Sequence, residues 1–301
     1  MDDLIRTAAF QWLVKQVALH GGILPRTLLD QGFSFHGQRI TLTGPQGIWK
    51  PAAMELPLSI TTKKDGPYDD LILEDGFLVY RYRGTDPTHR DNIGLREAMH
   101  RRMPLIYFYG VEPGKYLAEW PVFIEDDHPS ELSFIVSIGE RSHILNQPEV
   151  QNSQYVAEGE GIIYRRYTTT RAIHRLHQGE FRIKVLSAYG EQCAFCRLRH
   201  QQLLDAAHII PDNEEGGDPI VPNGLSLCKI HHAAFDGNII GVNPDYKINI
   251  REDVLNEIDG PMLEYGIQKM HEKKLILPSN RKNWPDQHRL EVRFKRFKQA
   301  G

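Results

Sequence analysis

Cysteine is absent from the first 192 residues of this 301-residue chain and then appears three times at ligand spacing, as Cys193-x-x-Cys196 and as Cys228-x-x-His231. Thiolates and imidazoles at such intervals can share one tetrahedral zinc ion, because each short loop turns both of its donors to the same side. Three unrelated buried cysteines in a reducing cytosol are the alternative, and that alternative does not account for two ligand pairs in succession. Cys193, Cys196, Cys228 and His231 are therefore expected to hold a structural Zn2+. Around and between the two pairs lie groups that a structural ion does not require: His208 in the run Leu204-Asp205-Ala206-Ala207-His208-Ile209-Ile210-Pro211, Asn223 ahead of Gly224, and His232 with Asp236 just after the second pair.

The order LLDAAHIIP, then NGLSLC, then HHAAFDG, over about residues 190–245, closely resembles the HNH nucleases, whose ββα-metal fold sets two strands and a helix around one divalent ion. The resemblance implies that His208 is the general base, that Asn223 holds the loop and orients that base, and that His232 binds a catalytic Mg2+ or Mn2+. Asp236 follows His232 by one helical turn, so the two face the same side and could share the ion. The chemistry suits these residue types. Hydrolysis of a phosphodiester needs a water made nucleophilic near neutral pH, which a neutral imidazole does, and a hard cation for the charge on the phosphorane and the leaving 3′ oxygen. Where the family often carries an acidic metal ligand immediately before its base, this chain has Ala207, and Asp205 stands two positions further back as a candidate ligand.

The elements that must position these groups begin far upstream. Residues 3–20 carry apolar side chains at Leu4, Ala8, Trp12, Val14, Val17 and Ala18, the spacing of an amphipathic helix that ends at Gly21-Gly22. From residue 33 to about 138 the pattern changes to short apolar or alternating runs; residues 56–61, 76–82, 105–109 and 120–124 read as strands and 91–101 as a helix, which together suggest a curved sheet or open barrel. Residues 139–161 read as a polar linker, and 164–177 and 181–189 as two helices leading into the zinc hairpin. The expected division is an N-terminal domain over 1–145, a linker and helix over 146–180, and the nuclease domain with a basic tail over 181–301, in an α+β chain.

The N-terminal region carries a second resemblance, to the SRA domain, a modified-cytosine reader related to the PUA-like barrels. It rests on Ser59-Ile60, Gly66-Pro67-Tyr68-Asp69-Asp70, the run from Glu74 through Gly76, Tyr80 and Tyr82 to Gly84, Asn92 with Leu95, Pro104 to Tyr107, and Gly114-Lys115-Tyr116. The stretch from Tyr68 to Gly84 is longer than in the SRA pattern. Such domains flip a base out of the duplex, and a flipped cytosine needs aromatic faces and a carboxylate to accept from its exocyclic amine. The resemblance assigns these roles to Tyr68, Tyr82 and Asp70. A reader joined to a cutter implies a modification-dependent restriction endonuclease acting on double-stranded DNA that carries modified cytosine, with a homodimer to place two cuts. The alternative is an HNH nuclease whose N-terminal domain senses a signalling nucleotide, an RNA or another DNA mark. A zinc-stapled DNA-binding protein without catalysis fits less well, since it needs no base beside a cation site.

Composition is consistent with these readings without adding to them. Apolar content of 41%, charged content of 25% and a net charge of −3 describe an ordinary globular chain. The charge is unevenly spread: between residues 164 and 200 eight Arg and Lys face two Glu, and between 281 and 298 seven basic residues face two acidic ones. Such runs are candidate phosphate-binding surfaces or solvated helix faces. The absence of an apolar run near 18 residues, and of a cationic and apolar leader, sets the expectation of a cytoplasmic protein that does not span a membrane.

Overall fold

The computed structural model describes residues 1–63, 77–139 and 158–300. Tyr68 and Asp70, with most of the stretch expected as a linker, lie outside the described residues. Two compact units divide the chain, Met1–Leu176 and His177–Gly301.

The first unit opens with helix α1 (Asp2–Leu19). Its buried face is Ile5, Arg6, Ala9, Phe10 and Leu13, one position on from the stripe expected, while Leu4 is left 61% exposed. Arg6 explains the rotation. Its guanidinium is buried and donates to the carbonyls of Pro104 (2.9 Å) and Pro57 (2.7 Å), two acceptors that reward bringing a charged side chain inward. Burial pushes this arginine down to about 10 despite the nearby Asp2.

Against α1 lies a curled, half-barrel sheet of seven strands. They are β1 (Leu24–Pro25), β4 (Ile48–Trp49), β5 (Ser59–Lys63), β6 (Leu78–Arg81), β7 (Leu105–Glu112), β8 (Lys115–His128) and β9 (Ser133–Ile138), while β2 (Phe33–Phe35) and β3 (Gln38–Ile40) form a separate hairpin. The order is β4-β5-β7-β8-β9-β6, with β1 also paired to β8. β5 and β7 run parallel, so the chain between them crosses over, and helix α2 (Arg90–His100) lies in that crossover. Register shifts in the β7–β8 and β8–β9 ladders bend the long strand and curl the sheet. The core of this unit joins Phe10 and Leu13 of α1 to Ile106, Phe108 and Trp120 of the sheet and to Leu58 just ahead of β5.

Where two helices were expected before the zinc hairpin, one continuous helix, α3 (Glu158–Ala188), is found, and the division between units falls within it. Gly179 lies between the two expected spans, but a single glycine inside a helix costs only about 1 kcal/mol relative to alanine. Its C-terminal part packs Phe181, Val185 and Leu186 onto the second unit's core, joined by Tyr189 just past its end. That unit is built on the antiparallel hairpin β10 (Leu204–His208) and β11 (Gly224–Cys228), followed directly by α4 (Lys229–Asp236). A small hairpin, β12 (Ile240–Val242) and β13 (Ile248–Ile250), then α5 (Pro261–Gly266) and α6 (Gln287–Gln299), complete it. The whole is α+β, and among the described residues no helix is long and apolar enough to cross a membrane.

Candidate active site

The hairpin register decides where each group stands. His208 ends β10 opposite Gly224, and Cys228 ends β11 opposite Leu204, so the candidate base and a candidate metal ligand occupy opposite ends of one ribbon. Helix α4 then starts at once, which places His231 and His232 in its first turn.

Cys193, Cys196, Cys228 and His231 converge, with their donor atoms all within 4.8 Å of one another. The turn between the first two is tight: Cys193 accepts from the Arg197 amide (3.0 Å), and Arg197 takes a left-handed φ of 64°. Ala194 donates to Ser226 (2.7 Å), tying this turn to β11. His231 Nδ1 lies 3.4 Å from the Cys193 sulfur and 3.2 Å from that of Cys228, while Nε2 meets the Gly266 carbonyl at 2.7 Å. That outer bond requires the proton on Nε2 and leaves the Nδ1 lone pair for a metal, the arrangement that orients histidine ligands. At this spacing the thiols split in acidity: hydrogen bonds from Cys193 and Cys196 pull Cys228 far down, and those to Cys193 and Cys228 push Cys196 far up. Three sulfurs and one oriented imidazole suit Zn2+.

Asn223 is fully buried and closes the loop that follows His208. Its Oδ1 accepts from the Ile210 amide (2.9 Å), and its Nδ2 donates to the carbonyls of Ile210 (2.9 Å) and Asp218 (3.1 Å). Its own carbonyl accepts from the Ile209 amide (2.9 Å). The side chain therefore fixes the backbone just beyond the candidate base, through residues 209 and 210.

The imidazole of His208 is half-buried and stacks on Phe181, with ring centroids 4.1 Å apart and planes 19° from parallel. Across the ribbon Gly224 lacks a side chain for a packing reason: a Cβ there would lie 2.4 Å from Val185 and 2.8 Å from Phe181. Its backbone is ordinary extended chain, at φ −128°. The pair Asn223-Gly224 is thus not a turn; glycine makes room for the ring that supports His208.

His232 bridges two carboxylates. Nδ1 lies 3.7 Å from Asp205 and Nε2 3.2 Å from Asp236, so its two nitrogens face different partners. Hydrogen bonds to Asp205 and then Asp236 outweigh burial and push the imidazole up to about 9. Burial would raise Asp205, but hydrogen bonds from His232 and Lys229 hold it well below the usual carboxylate range. Lys229 Nζ lies 2.7 Å from the Asp205 carboxylate, and Arg182 Nε lies 3.5 Å from the same carboxylate. Imidazole nitrogen with carboxylate oxygen is a fitting donor set for Mg2+ or Mn2+. Phe181 and Arg182 reach the site from α3 and Lys229 from the start of α4; the sequence shows Arg182 only as one of a basic run, and no spacing marks Phe181 or Lys229.

In the first unit, Tyr82 is 1% exposed, its ring 4.6 Å from that of Phe134. Its hydroxyl bonds to Asp127 and accepts from Arg96 (3.1 Å).

The basic tail is largely committed within its own unit. Arg293 stacks on Phe235 and donates to its carbonyl (2.8 Å), Arg296 pairs with Glu214, and Arg289 pairs with Asp218 (3.0 Å). Arg289 and Arg296 thereby brace the loop that Asn223 closes, and Arg293 holds the end of α4.

Strand, loop, strand and helix around a Cys3His cluster define an HNH endonuclease domain. Residues 193–243 match the family described as HNH endonuclease. The chain is accordingly a nuclease of the metal-dependent HNH class. No curated protein matches its sequence. Among solved structures it is similar to one titled modification dependent TagI restriction endonuclease, at 14% identity over 80% of this chain and 81% of that one, with a TM-score of 0.31. A second, titled type IV phosphorothioation-dependent restriction endonuclease ScoMcrA, is 16% identical over 60% of this chain and 45% of that one, with a TM-score of 0.21.

Proposed function

We propose that this chain is a modification-dependent DNA endonuclease, cutting with the HNH hairpin and reading a modified cytosine with its N-terminal unit. The observation that carries the cutting half is the placement of His208 at the end of β10, with Asn223 clamping the next two residues and His232 held among carboxylates on the following helix. In this reading His208 takes the proton from the attacking water. Asn223 keeps the strand end from shifting as it does so. A divalent cation of the Mg2+ or Mn2+ type, held by His232 with Asp236 or Asp205, would supply charge neutralisation at the phosphate and the leaving 3′ oxygen. Lys229 and Arg182 add positive charge beside that position, which favours a phosphate approaching it. Zn2+ on Cys193, Cys196, Cys228 and His231 has no part in the reaction and holds the ribbon to the helix.

The reading half rests on the SRA-like motifs, with Tyr68, Asp70 and Tyr82 as the base pocket, and two protomers would place cuts on both strands. Cleavage of methylated, hydroxymethylated and unmodified plasmids with Mg2+ or Mn2+ tests both halves. Cutting of modified DNA alone supports the proposal. Equal cutting of all three removes the reader and favours a nuclease gated by another ligand, and no cutting with either metal removes the catalytic assignment.

A further inference from the structure

A cavity of about 310 Å3 in the first unit is lined by residues of β8, β9 and the first turns of α3, among them Phe123, Glu125, Ser137, Tyr164 and Arg165. It lies at the small end of the ~300–1,000 Å3 range of ligand sites, too small for an extended cofactor and ample for one planar ring with a sugar. None of these residues belongs to the Tyr68, Asp70 and Tyr82 set.

Its walls combine two aromatic side chains with one closely placed pair of opposite charges. Phe123 is half-buried, and Tyr164 is 45% exposed. The Glu125 carboxylate accepts from the Ser137 hydroxyl (2.6 Å) and stands 3.6 Å from Arg165 Nε. That Nε is buried and makes no hydrogen bond, although a donor of this kind taken from water ordinarily has an acceptor. An unsatisfied N–H beside a carboxylate presents a donor and an acceptor within one small apolar space. Every nucleobase carries the complementary pair on its Watson–Crick edge, together with a π-face for Phe123 or Tyr164. Arg102, exposed on the same wall, adds the charge that a phosphate would meet.

We infer that this cavity is a nucleobase site, with Glu125 and Arg165 reading the polar edge of the base and Tyr164 stacking on it. The inference deepens the reading of this unit as a nucleic-acid reader and rests on it. A base flipped from a duplex and a free nucleotide share this chemistry, so both are used as probes.

The test uses the full chain, with fluorescence anisotropy on duplexes containing or lacking one 5-methylcytosine at matched salt, and equilibrium dialysis with CMP and 5-methyl-CMP. Glu125→Gln and Tyr164→Ser should each weaken whichever probe the wild type binds by at least about tenfold, and Tyr164→Phe should retain it. Tyr164 is exposed, so its loss leaves folding intact even if Glu125→Gln, which disturbs Ser137 and Arg165, does not fold. Loss on the methylated duplex supports both the site and the reader. Loss on CMP or on both duplexes equally supports the site and removes the modified-cytosine reading. If the wild type prefers the methylated duplex, Asp70→Ala abolishes that preference and the Tyr164 variant does not, the site is overturned while the reader stands. Binding of no probe overturns it as well.

Discussion

Asn223→Ala should release the loop behind the base while leaving the zinc cluster assembled. The side chain makes three hydrogen bonds in a fully buried position, to the amide and carbonyl of Ile210 and to the carbonyl of Asp218. Alanine removes all three and strands one amide and two carbonyls. An unsatisfied buried group costs about 1–3 kcal/mol, and the amide, with a single possible acceptor, bears the largest share. Carbonyls keep a second lone pair, and water entering the vacated space recovers part of the remainder. The net cost is about 3 kcal/mol, confined to the loop from 209 to 223. Since each 1.4 kcal/mol is a factor of ten, amide hydrogen exchange at Ile210 should accelerate by about a hundredfold. Peptides covering Cys193 to Cys196 should exchange as in the wild type, because Asn223 touches no zinc ligand. Asn223→Asp discriminates further: it retains the acceptor for the Ile210 amide but aims a charged oxygen at two carbonyls, and should be no better than alanine. Acceleration of less than tenfold in both variants would refute the clamp.

His208→Ala and His232→Ala should each abolish plasmid cleavage while leaving bound zinc unchanged, and His232→Ala should also lower the melting temperature near neutral pH because it removes the bridge to Asp205 and Asp236; wild-type cutting by either variant refutes that residue's role. Cys193→Ser or Cys228→Ser should lose zinc on elemental analysis and unfold the second unit, since zinc in so small a module contributes folding free energy directly. The pH dependence follows from His232, whose pKa is raised to about 9 by Asp205 and Asp236. The stability from that protonated bridge is complete below about pH 6.5, the ordinary histidine value, and is lost as pH rises through 9. A cation needs the neutral ring, so half-saturating Mn2+ should fall about tenfold between pH 7 and 8; an unchanged value rules out His232 as the ligand.

Much of the nuclease hairpin was legible because its donors lie within short loops, where spacing alone restricts geometry. Cys193 to Cys196 and Cys228 to His231 are separated by two residues each, and those pairs close as expected. His232 and Asp236, one turn apart, do come together. What spacing could not show is that His232 divides its nitrogens between Asp236 and Asp205, since Asp205 arrives from another strand. The same limit applied to α1. Periodicity found a helix, but its inward face depends on Arg6 meeting carbonyls fifty and a hundred residues away. Strand β8 was harder still, because Glu119 and Pro121 interrupt its apolar pattern. Glu119 is nevertheless buried, its charge met by both arms of Arg175 at 3.0 and 3.2 Å.

The missing side chain at Gly224 ties three distant positions into one inherited unit. Since Phe181 and Val185 fill the space where a Cβ would stand, a descendant with alanine at 224 must first shorten one of them. Shortening Phe181 removes the ring on which His208 lies, and with it that restraint on the orientation of the imidazole. The cheaper route is through Val185→Ala, which vacates the closest clash and spares the stack. Drift at this ribbon should therefore run in a fixed order, with residue 185 shrinking before residue 224 grows. A Gly224→Ala protein should lose stability, and a second change at Val185 should restore more of it than the same change at Phe181, while only the former keeps the orientation of the base.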